Sequence, residues 1–226
     1  MPKKHKKHTR NCLFIFHLFR RPIKDRRHCI YNPGFARIGF SSHNLGTFMT
    51  LSVKQTSVIK GMSIGALAAA VNMSGVWLGY PFHFIDASSL EQRLSIAATG
   101  SALVAIFLMV SIGRLAQHRF FNAEDIDAAV LAQSSDRARI LQSLLQNTLE
   151  QTVLAIVTYF IWSLIMPEVA LGAIVGAAIL FATGRMLFFY GYETGAASRA
   201  LGFSLTFYPT VLMLITAAIR AFALFK

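Results

Sequence analysis

"LLQNTLEQTVLAIVTYFIWSLIM", residues 144–166, joins two kinds of sequence. Residues 153–166 are apolar enough to lie in lipid, yet the turn before them carries Gln146, Asn147, Glu150 and Gln151. A run of about 20 mainly apolar residues crosses a bilayer core as a helix. The stretch therefore reads as a span with a polar mouth, and the rest of the chain has to say what that mouth faces.

Composition agrees with a membrane reading. Hydrophobic residues make up 54 % of the chain and charged residues 14 %, where soluble domains average about 45–50 % and about 25 %. Scanning for long apolar runs gives five candidates: 58–80, 94–112, 141–166, 169–190 and 201–225. None shows the strict alternation of a barrel strand, and a helix satisfies its own backbone in lipid. The expected class is an all-α membrane protein with five spans, multi-pass and in contact with membrane lipid. Pro81 and Pro167 stop spans one and three. The Pro167-Glu168 link is so short that spans three and four must form an antiparallel hairpin.

The net charge of +12 is unevenly placed. Residues 1–48 hold eleven Lys or Arg and one acid, Asp25; the remaining residues hold eleven basic and nine acidic side chains. Three readings stand for this leader: a nucleic-acid arm, an anchor to anionic lipid, or a segment with neither role. The last is the expectation, either as a disordered tail or as a mis-set start with Met49 the more ordinary beginning, and no nucleic-acid partner is expected. The apolar stretch 12–19 is too short and too broken for a secretory signal. Cys12 and Cys29 are the only cysteines and both lie in the leader, so the body has no disulfide framework and no thiolate nucleophile. The KKHKKH histidines have no carboxylate or cysteine partner, and no metal site is expected.

Basic residues near the span ends give orientation. The leader, the loop 113–140 with Arg114, Arg119, Arg137 and Arg139, and the turn 191–200 share one side; Arg93, Arg220 and Lys226 fall on the other. The amino terminus is expected in the cytoplasm. Gly61, Gly65 and Ala69, and again Gly172 and Gly176, recur at four-residue steps that let helices approach closely.

Asn147 and Glu150 are three residues apart and share a helix face, flanked by Ser143 and Gln146. A carboxylate within a span costs about 2.5–3.5 kcal/mol even on gentle scales, so it should find a partner. Residues 141–184 contain no Lys or Arg, and the hairpin returns Arg185 to the depth of the polar mouth. A Glu150–Arg185 pair or shared hydrogen-bond network is expected. The alternative is that these polar residues only fix helix register. A second motif, "GRMLFFYGYETGAASRALGFSLTFYPT" at 184–210, places Tyr192 seven residues after Arg185, with Gly191 and Gly195 at the helix end and Arg199 opening span five. Two arginines, a tyrosine and an Asn/Glu face thus meet at one interface, a site shaped for a small anionic ligand.

Asn147-x-x-Glu150 followed by Arg185-x6-Tyr192-x6-Arg199 resembles the MAPEG family, the membrane-associated proteins in eicosanoid and glutathione metabolism. The resemblance covers about 95–226 and implies that spans two to five are the family's four-helix bundle. The first span is then an addition, and the chain divides into a leader (1–48), an extra span with its loop (49–93) and the bundle (94–226). It also implies that Asn147, Glu150, Arg185 and Tyr192 hold glutathione as co-substrate, and that Arg199 lowers the thiol pKa as the catalytic residue. A lipophilic small molecule would be the second substrate. A homotrimer with sites between subunits is expected, partly from the resemblance and partly from the number of polar residues one bundle must satisfy. The implied activity is a glutathione-dependent transferase or peroxidase acting on lipophilic electrophiles. The alternative is a non-catalytic binding or scaffold protein of the same fold. Three departures bear on that choice: Ser143 where glutathione-using members carry arginine, Phe188 at an aromatic or histidine position, and Gln151 after the glutamate. Arg139, eight residues before Asn147, is the nearest substitute cation. Inverted repeats and broken midplane helices, the marks of a transporter, are not found.

Overall fold

A computed structural model of the protein describes residues 52–78, 87–126, 134–192 and 195–224. The leader with its cysteines, the first proline stop at Pro81 and the carboxyl-terminal Lys226 lie outside the described residues. Five long helices run through the body: α1 (Val53–Leu78), α2 (Leu90–Phe121), α4 (Asp136–Ile165), α5 (Gly172–Gly191) and α6 (Ala196–Leu224). A single turn, α3 (Ala123–Ile126), lies between α2 and α4. No strand occurs among the described residues. All five long helices are long and apolar enough to cross a bilayer, and the protein is a multi-pass membrane protein.

The helices overrun the apolar segments that predict them. α2 has 32 residues and α4 has 30, or about 45–48 Å at 1.5 Å per residue, against a hydrocarbon core of about 30 Å. Their polar ends therefore continue out of the lipid. Capping accounts for the boundaries. Ser89 begins α2 in a capping box with Gln92, and the Ser135 hydroxyl accepts from the Ala138 amide to begin α4.

α2 packs along α4, and α5 packs along α6; α4 also touches α6, and α2 touches α5. The core between them holds Tyr159, Trp162, Ile174, Phe181 and Met213, each almost fully buried. The hairpin expected between spans three and four is present. Pro167 leads into a 3-10 turn (Glu168–Ala170), and the Trp162 indole donates to the Ala170 carbonyl across it at 2.9 Å. At the same end, Arg93 Nη1 donates to the carbonyls of Ser163 and Met166, and Arg220 Nε donates to that of Ile165. Two cations thus satisfy carbonyls that the end of α4 would otherwise leave open.

α1 lies chiefly along α6. A Cβ on Gly65 would stand 2.3 Å from Ser204 Oγ, and one on Gly61 would stand 2.9 Å from the Leu201 amide nitrogen. The small-residue step read from the sequence is therefore a helix seam. Ser204 Oγ donates across it to the Gly61 carbonyl at 3.0 Å. Lower down, Asn72 Nδ2 donates to the Ala173 carbonyl at 3.3 Å. The opposite face of α1 presents Ile64, Leu67 and Val71, all exposed, toward lipid.

Candidate functional site

Asn147 stands 18 residues before Ile165, about 27 Å along α4, which is close to the full thickness of a bilayer core. The polar mouth is therefore at the membrane boundary rather than at its middle. Just inside this boundary Arg185 is fully buried. Its Nη1 donates to Asn147 Oδ1 at 2.9 Å and to Thr148 Oγ1 at 3.4 Å, and its Nη2 donates to Thr206 Oγ1 at 2.7 Å. Both threonine hydroxyls donate in turn to carbonyls of their own helices, Thr148 to Leu144 and Thr206 to Phe203. Their oxygens are thereby aligned as acceptors. The guanidinium carbon lies 4.6 Å from the Phe188 ring centre and 5.5 Å from that of Phe181, so aromatic faces cover the charge.

This corrects the expected Glu150–Arg185 pair. Arg185 is neutralised by no carboxylate among the described residues; its partners are an amide, two hydroxyls and two rings. The cause is helical angle. At about 100° per residue, Thr148 and Glu150 lie on either side of Asn147, about 160° from each other, so a cation between Asn147 and Thr148 cannot also meet Glu150. Glu150 is exposed on the single chain, and its Oε1 accepts from Gln146 Nε2 at 2.9 Å.

Above Arg185 opens a groove of about 780 Å³. Its polar part is lined by Gln142, Ser143, Gln146, Asn147 and Glu150 from α4, with Tyr192 and Arg199 opposite. Its apolar part is lined by Val58, Met62, Phe188, Ala200 and Phe203. The Arg199 guanidinium lies 4.8 Å from the Tyr192 ring centre, and Tyr192 meets Phe188 edge-on at 5.3 Å. Arg199 makes no ion pair among the described residues and lines the groove. Gly195, with φ of +123°, precedes α6 in a conformation open mainly to glycine, and the helix that carries Arg199 starts from it.

A sequence profile of the MAPEG family matches residues 94–219. The chain belongs to the MAPEG family. No curated protein matches the chain, and no solved structure does. The matched span holds α4 and α5 and most of α2 and α6, while α1 lies wholly before it. The additional span expected from the sequence is thus a helix outside the MAPEG region that docks on that region's last helix.

Of the five residues singled out from the sequence, Asn147, Glu150, Tyr192 and Arg199 line the groove and Arg185 does not. Arg185 sits behind Asn147 and holds its side-chain oxygen, a positioning role for the groove floor. Arg139 lines a smaller adjoining cleft with Ser143, Tyr192 and Arg199, while also pairing with Asp136. Sequence reasoning missed Thr148, Thr206, Val58 and Met62. The threonines had a signal, since each is a polar side chain inside an otherwise apolar run. Val58 and Met62 had none: they are ordinary apolar residues of the first span, and only the docking of α1 brings them to the groove.

Proposed function

We propose that this groove binds glutathione and presents its thiol to lipophilic electrophiles, making the protein a membrane-bound glutathione transferase or peroxidase. The observation that carries this reading is the juxtaposition of Arg199, free of ion pairs among the described residues, with Glu150 and Asn147 in a groove that apolar side chains also line. Glutathione has two carboxylates, an ammonium and a thiol. Arg199 complements an anion, Glu150 an ammonium, and Asn147 offers amide groups for the peptide backbone. A cysteine thiol ionises near pH 8.5, and lowering that by two units takes about 2.7 kcal/mol. A guanidinium facing the sulfur in a partly desolvated groove supplies stabilisation of that kind, because it favours the charged form alone.

In the transfer reaction the thiol proton leaves to solvent and the sulfur lone pair forms a bond to the electrophilic carbon. The displaced electron pair departs with the leaving group or moves onto a conjugated acceptor. In the peroxidase variant two thiols are oxidised to a disulfide as a hydroperoxide is reduced to alcohol and water. The chain's residues orient the peptide and exclude water; Arg199 holds the negative charge on sulfur until the bond forms.

A second reading, binding without turnover, draws on Ser143 and Phe188. Ser143 places a short hydroxyl in the groove wall, and the Phe188 ring is already engaged with Arg185 and Tyr192. Calorimetric titration of glutathione into the purified protein, with turnover measured on an aryl chloride, separates the readings. Binding with turnover supports the enzyme, binding without turnover supports the second reading, and no binding removes the enzyme.

Two features of assembly belong to the same proposal. Leu149, Val153 and Val157 are exposed along α4 beside Glu150, a stripe that a neighbouring copy in a homotrimer would cover. Arg114, Arg119, Arg137, Arg139 and Arg199 cluster at the groove end of the bundle, which supports a cytoplasmic groove and amino terminus. Native mass spectrometry tests the first, and labelling of a single cysteine placed at Asp136 in sealed vesicles tests the second.

A further inference from the structure

We propose that α1, the helix outside the MAPEG region, sets the length and width of the lipophilic group the protein accepts, through Val58 and Met62. The inference rests on the reading of the groove's polar part as the peptide site, and adds what the apolar part recognises. Val58 and Met62 are one helical turn apart and line the groove, although they come from a segment that the family profile does not reach. Their aim is dictated by the glycine seam. Gly61 and Gly65 must face Ala200, Leu201 and Ser204, because a Cβ at either position would collide with α6. The Ser204 hydroxyl bond to the Gly61 carbonyl holds the seam at the level of the groove. With that azimuth fixed, the neighbours of Gly61 at helical spacings of three and one come to line the groove together with Phe203, Asn147 and Glu150.

The chemistry of the wall is that of an alkyl or aryl surface. A ligand whose polar head meets Arg199 and Glu150 has no polar partner on the α1 side; it meets a branched aliphatic, a thioether and an aromatic ring. Methionine has an unbranched, polarisable side chain that adapts to chains of different shape. The outer face of α1 is exposed to lipid, so an apolar group can approach along this helix from the bilayer. The occupant is therefore a hydrocarbon chain or ring attached to an electrophilic centre that the thiol reaches.

The test uses the full-length protein in lipid nanodiscs and S-methyl, S-hexyl and S-decyl glutathione, with binding measured by calorimetry. In the unsubstituted protein affinity rises with chain length. Met62→Ala weakens the decyl compound by about tenfold, the loss of one well-packed side-chain contact, and leaves the methyl compound unchanged. Met62→Trp narrows the groove and reverses the preference toward the methyl compound, while Met62→Leu behaves as the parent. The same chain-length dependence in all four proteins overturns the proposal. Failure of the parent to bind any member of the series counts against the glutathione reading alone. The wall is then judged by photolabelling with a decyl diazirine that has no peptide. Label concentrated at Val58 and Met62 over Ile64 and Leu67 sustains the wall; label confined to Ile64 and Leu67 overturns it.

Discussion

Arg185 holds Asn147 from behind, Nη1 to Oδ1 at 2.9 Å, while Glu150, one turn further on, lines the groove beside Asn147 and does not meet the arginine. The acid that looked like a counter-ion from its spacing is a groove residue, and the amide that looked like a ligand contact alone is also the cation's anchor.

Arg185→Ala removes three hydrogen bonds from the centre of the bundle and leaves Asn147, Thr148 and Thr206 without their donor. A loss of about 3 kcal/mol is expected, read as a fall in unfolding temperature in mild detergent. Glu150→Gln is exposed on the chain and should change stability by less than about 0.5 kcal/mol. A silent Arg185→Ala beside a destabilised Glu150→Gln would reverse the two roles.

Arg199→Ala should leave the unfolding temperature near that of the parent, since the side chain rests on Tyr192 at the membrane edge and forms no ion pair among the described residues. Ultraviolet difference absorbance of glutathione thiolate on the protein should disappear in this variant. Retention of the thiolate signal in Arg199→Ala would take the cation out of the chemistry.

Gly65→Leu places a branched side chain where Ser204 Oγ is already 2.3 Å from an added Cβ. We expect α1 to separate from α6 at the cost of about 1–3 kcal/mol, with protease cleavage near the amino end of α1 as the readout. Gly65→Ala should shift cleavage in the same direction, because an added Cβ also stands 2.8 Å from the Ser204 backbone carbonyl carbon. Equal cleavage of Gly65→Leu and parent would mean the seam does not hold the helix.

Outside the membrane, Asp125 is buried between α2 and α4, accepts from the Ser135 amide and hydroxyl at 2.8 and 2.7 Å, and lies 3.0 Å from His118 Nε2. The Ser135 amide above all, then its hydroxyl and the His118 ring, hold the carboxyl below its ordinary value of 3.8. A depressed carboxyl stabilises the fold fully above that ordinary value and loses its contribution as pH falls through the lower folded value. Protection factors at residues 118–126, exchange rates set against the intrinsic rate at each pH, should therefore hold from neutral pH down to the usual carboxylate range and fall only in stronger acid. Asp125→Asn should show the lower protection at neutral pH as well, and unchanged protection there would remove the carboxylate from the clip.

The helix count, their order and the hairpin at Pro167 were legible because apolar runs of bilayer length leave few choices for the backbone. Helix ends were less so: α2 runs to Phe121 rather than stopping near 112, since His118 and Arg119 are tolerated once the helix has left the lipid. The groove residues Asn147, Glu150, Tyr192 and Arg199 could be named from spacing and family resemblance together. The partner of Arg185 could not, because opposite charge is a strong cue in a sequence while the angle separating Thr148 from Glu150 is easily overlooked. Val58 and Met62 were hidden for a different reason. They do no chemistry, and only the docked position of α1 makes them part of the site.

Arg93 and Arg220 grip the last carbonyls of α4 from two neighbouring helices, and Arg185 grips the same helix near its other membrane boundary. A helix pinned at both boundaries cannot slide along its axis without breaking charge-assisted hydrogen bonds at each end. α4 is thereby the stationary wall of the groove. The facing wall is held differently: α1 meets α6 at that level by close packing at Gly61 and Gly65 and by the Ser204 hydroxyl, so one side of the groove is fastened by directed bonds and the other by fit.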